Sequence, residues 1–174
     1  FRCHHLLREE LAGALQTFES ARIPGLQERA SRWFDEHGDR EAAIRHATAS
    51  GSADLAAAMI WPAVPNCVAS GRLDRLRTWL SGLTDAQIAS NPWLSMAATW
   101  SALQQGDAPT MGRWARISEG HAGPNWREDA SHDPYAATVA VLHGLVGSGG
   151  LDDTRDLCDR AMGGLAPDDS VRAA

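Results

Sequence analysis

The chain has 174 residues, 44% of them hydrophobic, a formal net charge of -6 and three cysteines. That size and composition suit one globular domain with a substantial core and exclude a disordered class. The acidic balance argues against a nucleic-acid face, which needs clustered Lys and Arg, and no apolar stretch approaches the about 20 residues that span a bilayer. Cys3, Cys67 and Cys158 are far apart and form no CxxC pair, so neither a zinc site nor a redox pair is indicated, and a reducing cytoplasm is the expected compartment. The chain opens at Phe1, directly in structured-looking sequence, and is expected to be a segment of a longer protein.

Taken in chain order, Leu6, Leu7, Leu11, Ala14 and Leu15 fall at helical spacing and predict an amphipathic helix from His4 to Leu15. Ile23-Pro24-Gly25 opens a second helix, since proline in the first turn sacrifices no intrahelical bond, with Leu26, Ala30, Trp33 and Phe34 as its apolar stripe and Gly38 as its left-handed cap. Asp39 suits the N-cap of a third helix carrying Ala43, Ile44 and Ala47 and stopping at Gly51. Between Ser52 and Ser70, Trp61-Pro62 and Val64-Pro65 predict a kink or break, because an interior proline removes a hydrogen bond and crowds the preceding turn. Leu73, Leu76, Trp79, Leu80 and Leu83 predict a helix from about Leu73 to Ser81. Thr84-Asp85-Ala86-Gln87 matches a capping box for a short helix that Asn91-Pro92 ends. Trp93, Met96, Ala97, Trp100 and Leu103 form the next stripe, paired with Asp107 to Ser118. Tyr135 to Val146 and Leu151 to Leu165 make a last pair across Gly147-Ser148-Gly149-Gly150, and 166–174 is a polar tail. No period-two alternation predicts a sheet, and a strand remnant is admitted only at the extreme N-terminus.

Gly38-Asp39, Gly71-Arg72 and Gly106-Asp107 recur at intervals of 33 and 35 residues, and Gly150-Leu151-Asp152 follows 44 residues later. A period near 34 is that of stacked helical hairpins. The expected fold is therefore all-α, antiparallel hairpins stacked as a tetratricopeptide-like right-handed superhelix over 21–165, with 120–134 as an insertion. Such modules bind partners more often than they catalyse, and no enzyme is expected.

The chemistry-bearing residues are few. His5 and Glu9 sit four apart but lack further ligands; the seven histidines are scattered, and His37 and His46 flank a helix–helix turn where carbonyl capping is expected, with a pH or metal role the minor reading. Asp152, Asp153, Asp156 and Asp159 complement a helix dipole rather than a calcium loop, and Gly144, Gly147, Gly149 and Gly150 lack the Lys-Ser/Thr of a phosphate cradle. No metal is expected. Among the seven tryptophans, Trp33, Trp79, Trp93, Trp100 and Trp114 lie on predicted core stripes. Trp61, at the proline break, and Trp126, in the insertion, stand outside the stripes and are candidate ligand or partner contacts, although loop-anchor packing is the favoured reading for Trp126. Arg72, Arg75 and Arg77 are read first as a solvated helix face, with a phosphate or acidic-partner site as the alternative, and Arg72 and Arg75 complete the candidate set.

The segment Phe1-Arg2-Cys3-His4-His5-Leu6-Leu7-Arg8-Glu9-Glu10-Leu11 resembles the aromatic-Arg-x-His-x-Leu-Phe-x-Glu-x-Leu stretch of large ATP-binding LuxR-type transcription regulators of the maltose-activator class, with Leu7 in place of the common phenylalanine. The resemblance extends through Leu26, Arg29, Ala30, Trp33 and Phe34, then Gly38, Asp39, Ala42, Ile44, His46, Ala47, Ser50 and Gly51, and Gly71, Leu76, Trp79 and Leu80. It implies that 1–20 is the end of a winged-helix region and the remainder the first part of a helical sensor. By the same resemblance ATP belongs to an N-terminal module and DNA to a C-terminal helix-turn-helix, both outside this chain. The implied role is a regulatory segment receiving a small-molecule inducer or a regulatory protein, with oligomers admitted, no membrane and no cofactor of its own. A stand-alone helical adapter is the alternative.

Overall fold

The computed structural model describes residues 5–146 and 151–164, and every regular element among them is helical. The elements are α1 (His5–Phe18), α2 (Ile23–Glu36), α3 (Arg40–Ser50), α4 (Ala53–Ile60), α5 (Val64–Ala69), α6 (Leu73–Leu80), α7 (Asp85–Ser90), α8 (Pro92–Gln105), α9 (Ala108–Ala122), α10 (Trp126–Asp129), α11 (Pro134–Val146) and α12 (Leu151–Gly164). They form an all-α helical repeat: α2 packs on α3, α8 on α9 and α11 on α12, while α4 packs on α3 and α8, and α6 on α3 and α8.

The glycine period has a backbone cause. Gly38, Gly71 and Gly106 have φ of 78, 67 and 64°, the left-handed region that costs an L side chain strain. Each sits in the turn within a helix pair, and the residue after it, Asp39, Arg72 or Asp107, is the N-cap of the second helix. Asp39 accepts from Ala42 N at 3.0 Å and Asp107 from Thr110 N at 3.1 Å, satisfying amides that the helix itself leaves unpaired. The capping box at Thr84 and Gln87 forms in full. At the proline break, a 3-10 turn over Trp61–Ala63 separates α4 from α5. Gly150 of the fourth marker, the Gly147–Gly150 joint, the N-terminal strand remnant and the 166–174 tail lie outside the described residues.

Three elements differ from the sequence reading. Helix α8 carries a stripe, yet Leu94 to Ala102 is buried on every side, because α4, α6, α7, α9 and α11 all pack around it. Its polar residues are satisfied at close range: Ser95 Oγ donates to the Pro92 carbonyl at 2.8 Å and Thr99 Oγ1 to the Ser95 carbonyl at 3.0 Å. Trp33 is not in the core. It is 52% exposed, its ring stacked on His37 at 3.9 Å and edge-on to Phe34 at 4.9 Å, because α2 has α3 on one side only. The expected insertion is largely helical: α9 continues to Ala122 and α10 adds a turn whose Trp126 is 7% exposed in the core.

Two glycine substitutions separate turn strain from helix propensity. Gly106→Ala should cost about 1–2 kcal/mol in urea unfolding because of its positive φ. Gly112→Ala, within α9 and with nothing within 4 Å of an added Cβ, should gain about 0.5–1 kcal/mol.

Candidate functional site

Three adjoining hollows run across successive helix pairs. The first, about 340 Å³, lies between α3 and α6 and is lined by Glu41, Ile44, Arg45, Thr48, Thr78 and Trp79. The second, about 260 Å³, lies between α6 and α9 and includes Arg77, Ser81, Asp85, Ala102, Arg113 and Trp114; Ser81 is shared with the first. The third, about 290 Å³, is lined by Leu73, Asp74, Arg77, Ser101 and Gln105. Arg77, Ser101 and Gln105 join it to the second, so the three make one open groove.

The first two hollows are built alike. Ile44, Trp79 and Trp114 recur at intervals of 35 residues, the same interval as Gly71 to Gly106, and each contributes to a hollow. Trp79 and Trp114 are 8% and 5% exposed, so each mainly fills core and offers only an edge to the groove. An arginine lies over each ring: Arg75 is 5.4 Å from the Trp79 centroid and Arg113 is 4.3 Å from that of Trp114. Each of these arginines also binds a carboxylate of an earlier element. Arg75 pairs with Glu41, to which Trp79 Nε1 donates as well at 2.9 Å, and Arg113 pairs with Asp85 at 2.8 Å. The ion pairs thus tie α6 to α3 and α9 to α7. Arg45 and Arg77, by contrast, line the groove and make no side-chain ion pair or hydrogen bond among the described residues.

The four residues singled out from the sequence do not converge. Arg72 is bonded to Ser70 Oγ at 3.0 Å beside the α5–α6 turn. Arg75 is at the groove's edge, in the Glu41 pair. Trp61 lies half-buried against Trp93, centroids 4.6 Å apart, and Trp93 in turn meets Tyr135 edge-on at 4.9 Å. Trp126 anchors its loop: Arg127 lies 4.8 Å over its ring, and His143, whose Nδ1 donates to Glu119 at 2.8 Å, stands 5.2 Å away. The groove residues that were missed are Arg45, Thr48, Ser101, Gln105 and Arg113. Their signal was the 35-residue interval carried from the glycines to the tryptophans.

The histidines divide. His37 Nδ1 donates to the Trp33 carbonyl at 2.7 Å, the capping role expected of it. His46 instead bonds the Gln27 side chain at 2.6 Å, and burial followed by the neighbouring Arg45 charge lowers its pKa. Among the described residues no group of three His, Cys, Asp or Glu side chains is placed to hold a metal, and no helix is long and apolar enough to cross a membrane.

Against known proteins, the chain is 29% identical over 118 residues to the serine/threonine-protein kinase PknK of Mycobacterium tuberculosis strains CDC 1551 / Oshkosh and H37Rv and of Mycobacterium bovis. It is similar to part of a far longer protein. The aligned region covers 67% of this chain and 11% of the kinase, so the chain spans about a tenth of these relatives. No family model and no solved structure matches it.

Two replacements check the aromatic assignments. Trp126→Ala should lose about 3–5 kcal/mol of stability in chemical unfolding, as for a buried ring, and should not alter folding only locally. Tyr135 donates toward the Pro92 and Ser118 carbonyls, and burial is the main cause of a phenol pKa pushed up to about 12. Because the folded value is raised, its stabilising contribution is intact below pH about 10 and is lost as pH rises toward 12. Thermal unfolding between those values should fall more steeply for the native chain than for Tyr135→Phe, which should itself cost about 1 kcal/mol near neutrality.

Proposed function

We propose that the chain is a regulatory helical-repeat segment of a larger bacterial regulator, and that it takes an extended stretch of a partner protein in the groove across α3, α6, α8 and α9. The observation that carries this reading is the joining of three open hollows through shared residues on successive helix pairs. An extended peptide advances about 3.3 Å per residue and can lodge side chains in such a series. A small-molecule inducer is the weaker reading, since sites that bury a drug-sized ligand are usually more enclosed than this open groove.

The sequence resemblance to LuxR-type regulators and the partial similarity to a mycobacterial protein kinase both support a setting in which helical repeats are one segment of a long regulatory chain. In the LuxR-type setting, a partner that binds active and resting arrangements with different affinity would bias an ATP-dependent switch, and DNA would be contacted by a separate helix-turn-helix. The role is cytoplasmic and contains no catalytic step or cofactor within this segment. The adapter alternative would use the same groove without that switch.

Reading the coding sequence on either side separates these settings: an upstream P-loop with a downstream helix-turn-helix supports the LuxR-type regulator, whereas repeats alone support the adapter. Selection of a random dodecapeptide phage library on this chain tests the groove. Ser81 is exposed and shared by two hollows, so Ser81→Trp should fill the groove and lower the affinity of selected peptides at least tenfold. Equal affinity for both chains would move the binding site elsewhere.

A further inference from the structure

The charges along the groove are unequal in availability. Two of its carboxylates are already engaged, Glu41 by Arg75 and Trp79, and Asp85 by Arg113. Two of its arginines are not: Arg45 in the first hollow and Arg77, shared by the second and third, are exposed and make no ion pair among the described residues. Asp74, beside Arg77 in the third hollow, is a groove carboxylate with no ion pair among the described residues. Four arginines therefore face three carboxylates on the groove and its edge, in a chain whose formal net charge is -6.

The other polar side chains lining the hollows include the neutral Thr48, Thr78, Ser81, Ser101 and Gln105; the hydroxyls of Thr48, Thr78 and Ser81 donate to nearby backbone carbonyls and keep their lone pairs for a ligand. A guanidinium presents donors in a rigid fork that fits a carboxylate with two bonds, and hydroxyl and amide groups alongside can serve the rest of a peptide.

We propose that the segment bound in the groove is acidic, with one carboxylate side chain meeting Arg45 and another meeting Arg77. The proposal rests on the groove reading above and names the partner's chemistry. The engaged pairs have a separate task. By satisfying Glu41 and Asp85 from within the chain, Arg75 and Arg113 reduce the repulsion those carboxylates would exert on an acidic ligand. Asp74 works against binding and limits it.

Fluorescence anisotropy with a labelled alternating glutamate–serine dodecapeptide tests this, with the lysine–serine and glutamine–serine peptides as comparisons. The acidic peptide should bind at least tenfold more tightly than either, and the binding should weaken as salt is raised. Arg45→Glu and Arg77→Glu should each lower its affinity about tenfold or more, Asp74→Asn should raise it, and Arg155→Glu on exposed α12 should leave it unchanged. Circular dichroism and the thermal midpoint verify that each variant is folded. If the two groove reversals leave affinity unchanged while library-selected peptides still require an unfilled groove at Ser81, the acidic assignment is overturned and the groove reading stands. If neither the acidic peptide nor any selected peptide binds, both fall.

Discussion

The fold depends on one helix that has no solvent face. From Leu94 to Ala102 helix α8 is buried all round, and α4, α6, α7, α9 and α11 are arranged by their contacts with it. Such a helix can contain polar residues only if their hydrogen bonds are made locally. Ser95 and Thr99 meet that condition by bonding carbonyls three and four residues back, and Ser118 of α9 adds a bond to Ser95 Oγ at 3.0 Å. Small side chains at Ala97, Ala98 and Ala102 leave room for close approach of the surrounding helices. Asn91 secures the start of the same helix, capping Trp93 N at 3.0 Å and donating to Asp54 at 2.9 Å, which ties α8 to α4 before its buried stretch begins.

The groove follows from that arrangement. Successive pairs are offset by one repeat, so equivalent positions of neighbouring pairs come to lie along one surface. Trp79 and Trp114 hold the pairs apart with buried rings while their edges line the hollows, and the guanidiniums of Arg75 and Arg113 cover those rings and reach an acid of an earlier element. Exposed ion pairs of this kind add little stability by themselves. Their larger consequence is electrostatic, since they engage two carboxylates, while Arg45 and Arg77 of the groove make no ion pair among the described residues.

Much of the fold was legible in the sequence because its causes are local. A left-handed glycine before an N-capping aspartate marks a turn wherever it occurs, and Gly38-Asp39 and Gly106-Asp107 do so here. The break at Trp61-Pro62 and the box at Thr84 and Gln87 are equally local. The site was legible only in part. Trp126 stood apart because no stripe explained it, but the stripe test knows nothing of a single helical turn that returns its side chain to the core. Trp33 failed the other way, since a tryptophan at stripe spacing is buried only where something packs against that face. Arg72, Arg75 and Arg77 are close neighbours in sequence, yet one bonds a serine, one closes an ion pair and one lines the groove with no ion pair among the described residues.

The sequence by itself determined the helices, their caps, their break and their repeat length, because each depends on backbone conformation and hydrogen bonds among residues a few positions apart. Only the tertiary structure decided which faces those helices cover, which tryptophans are core and which arginines remain unpaired. Those outcomes depend on partners 26 to 38 residues away, such as Asp153 for Arg127 and Glu41 for Trp79, and burial and charge pairing are properties of what is packed opposite a side chain and not of its own position in the helix.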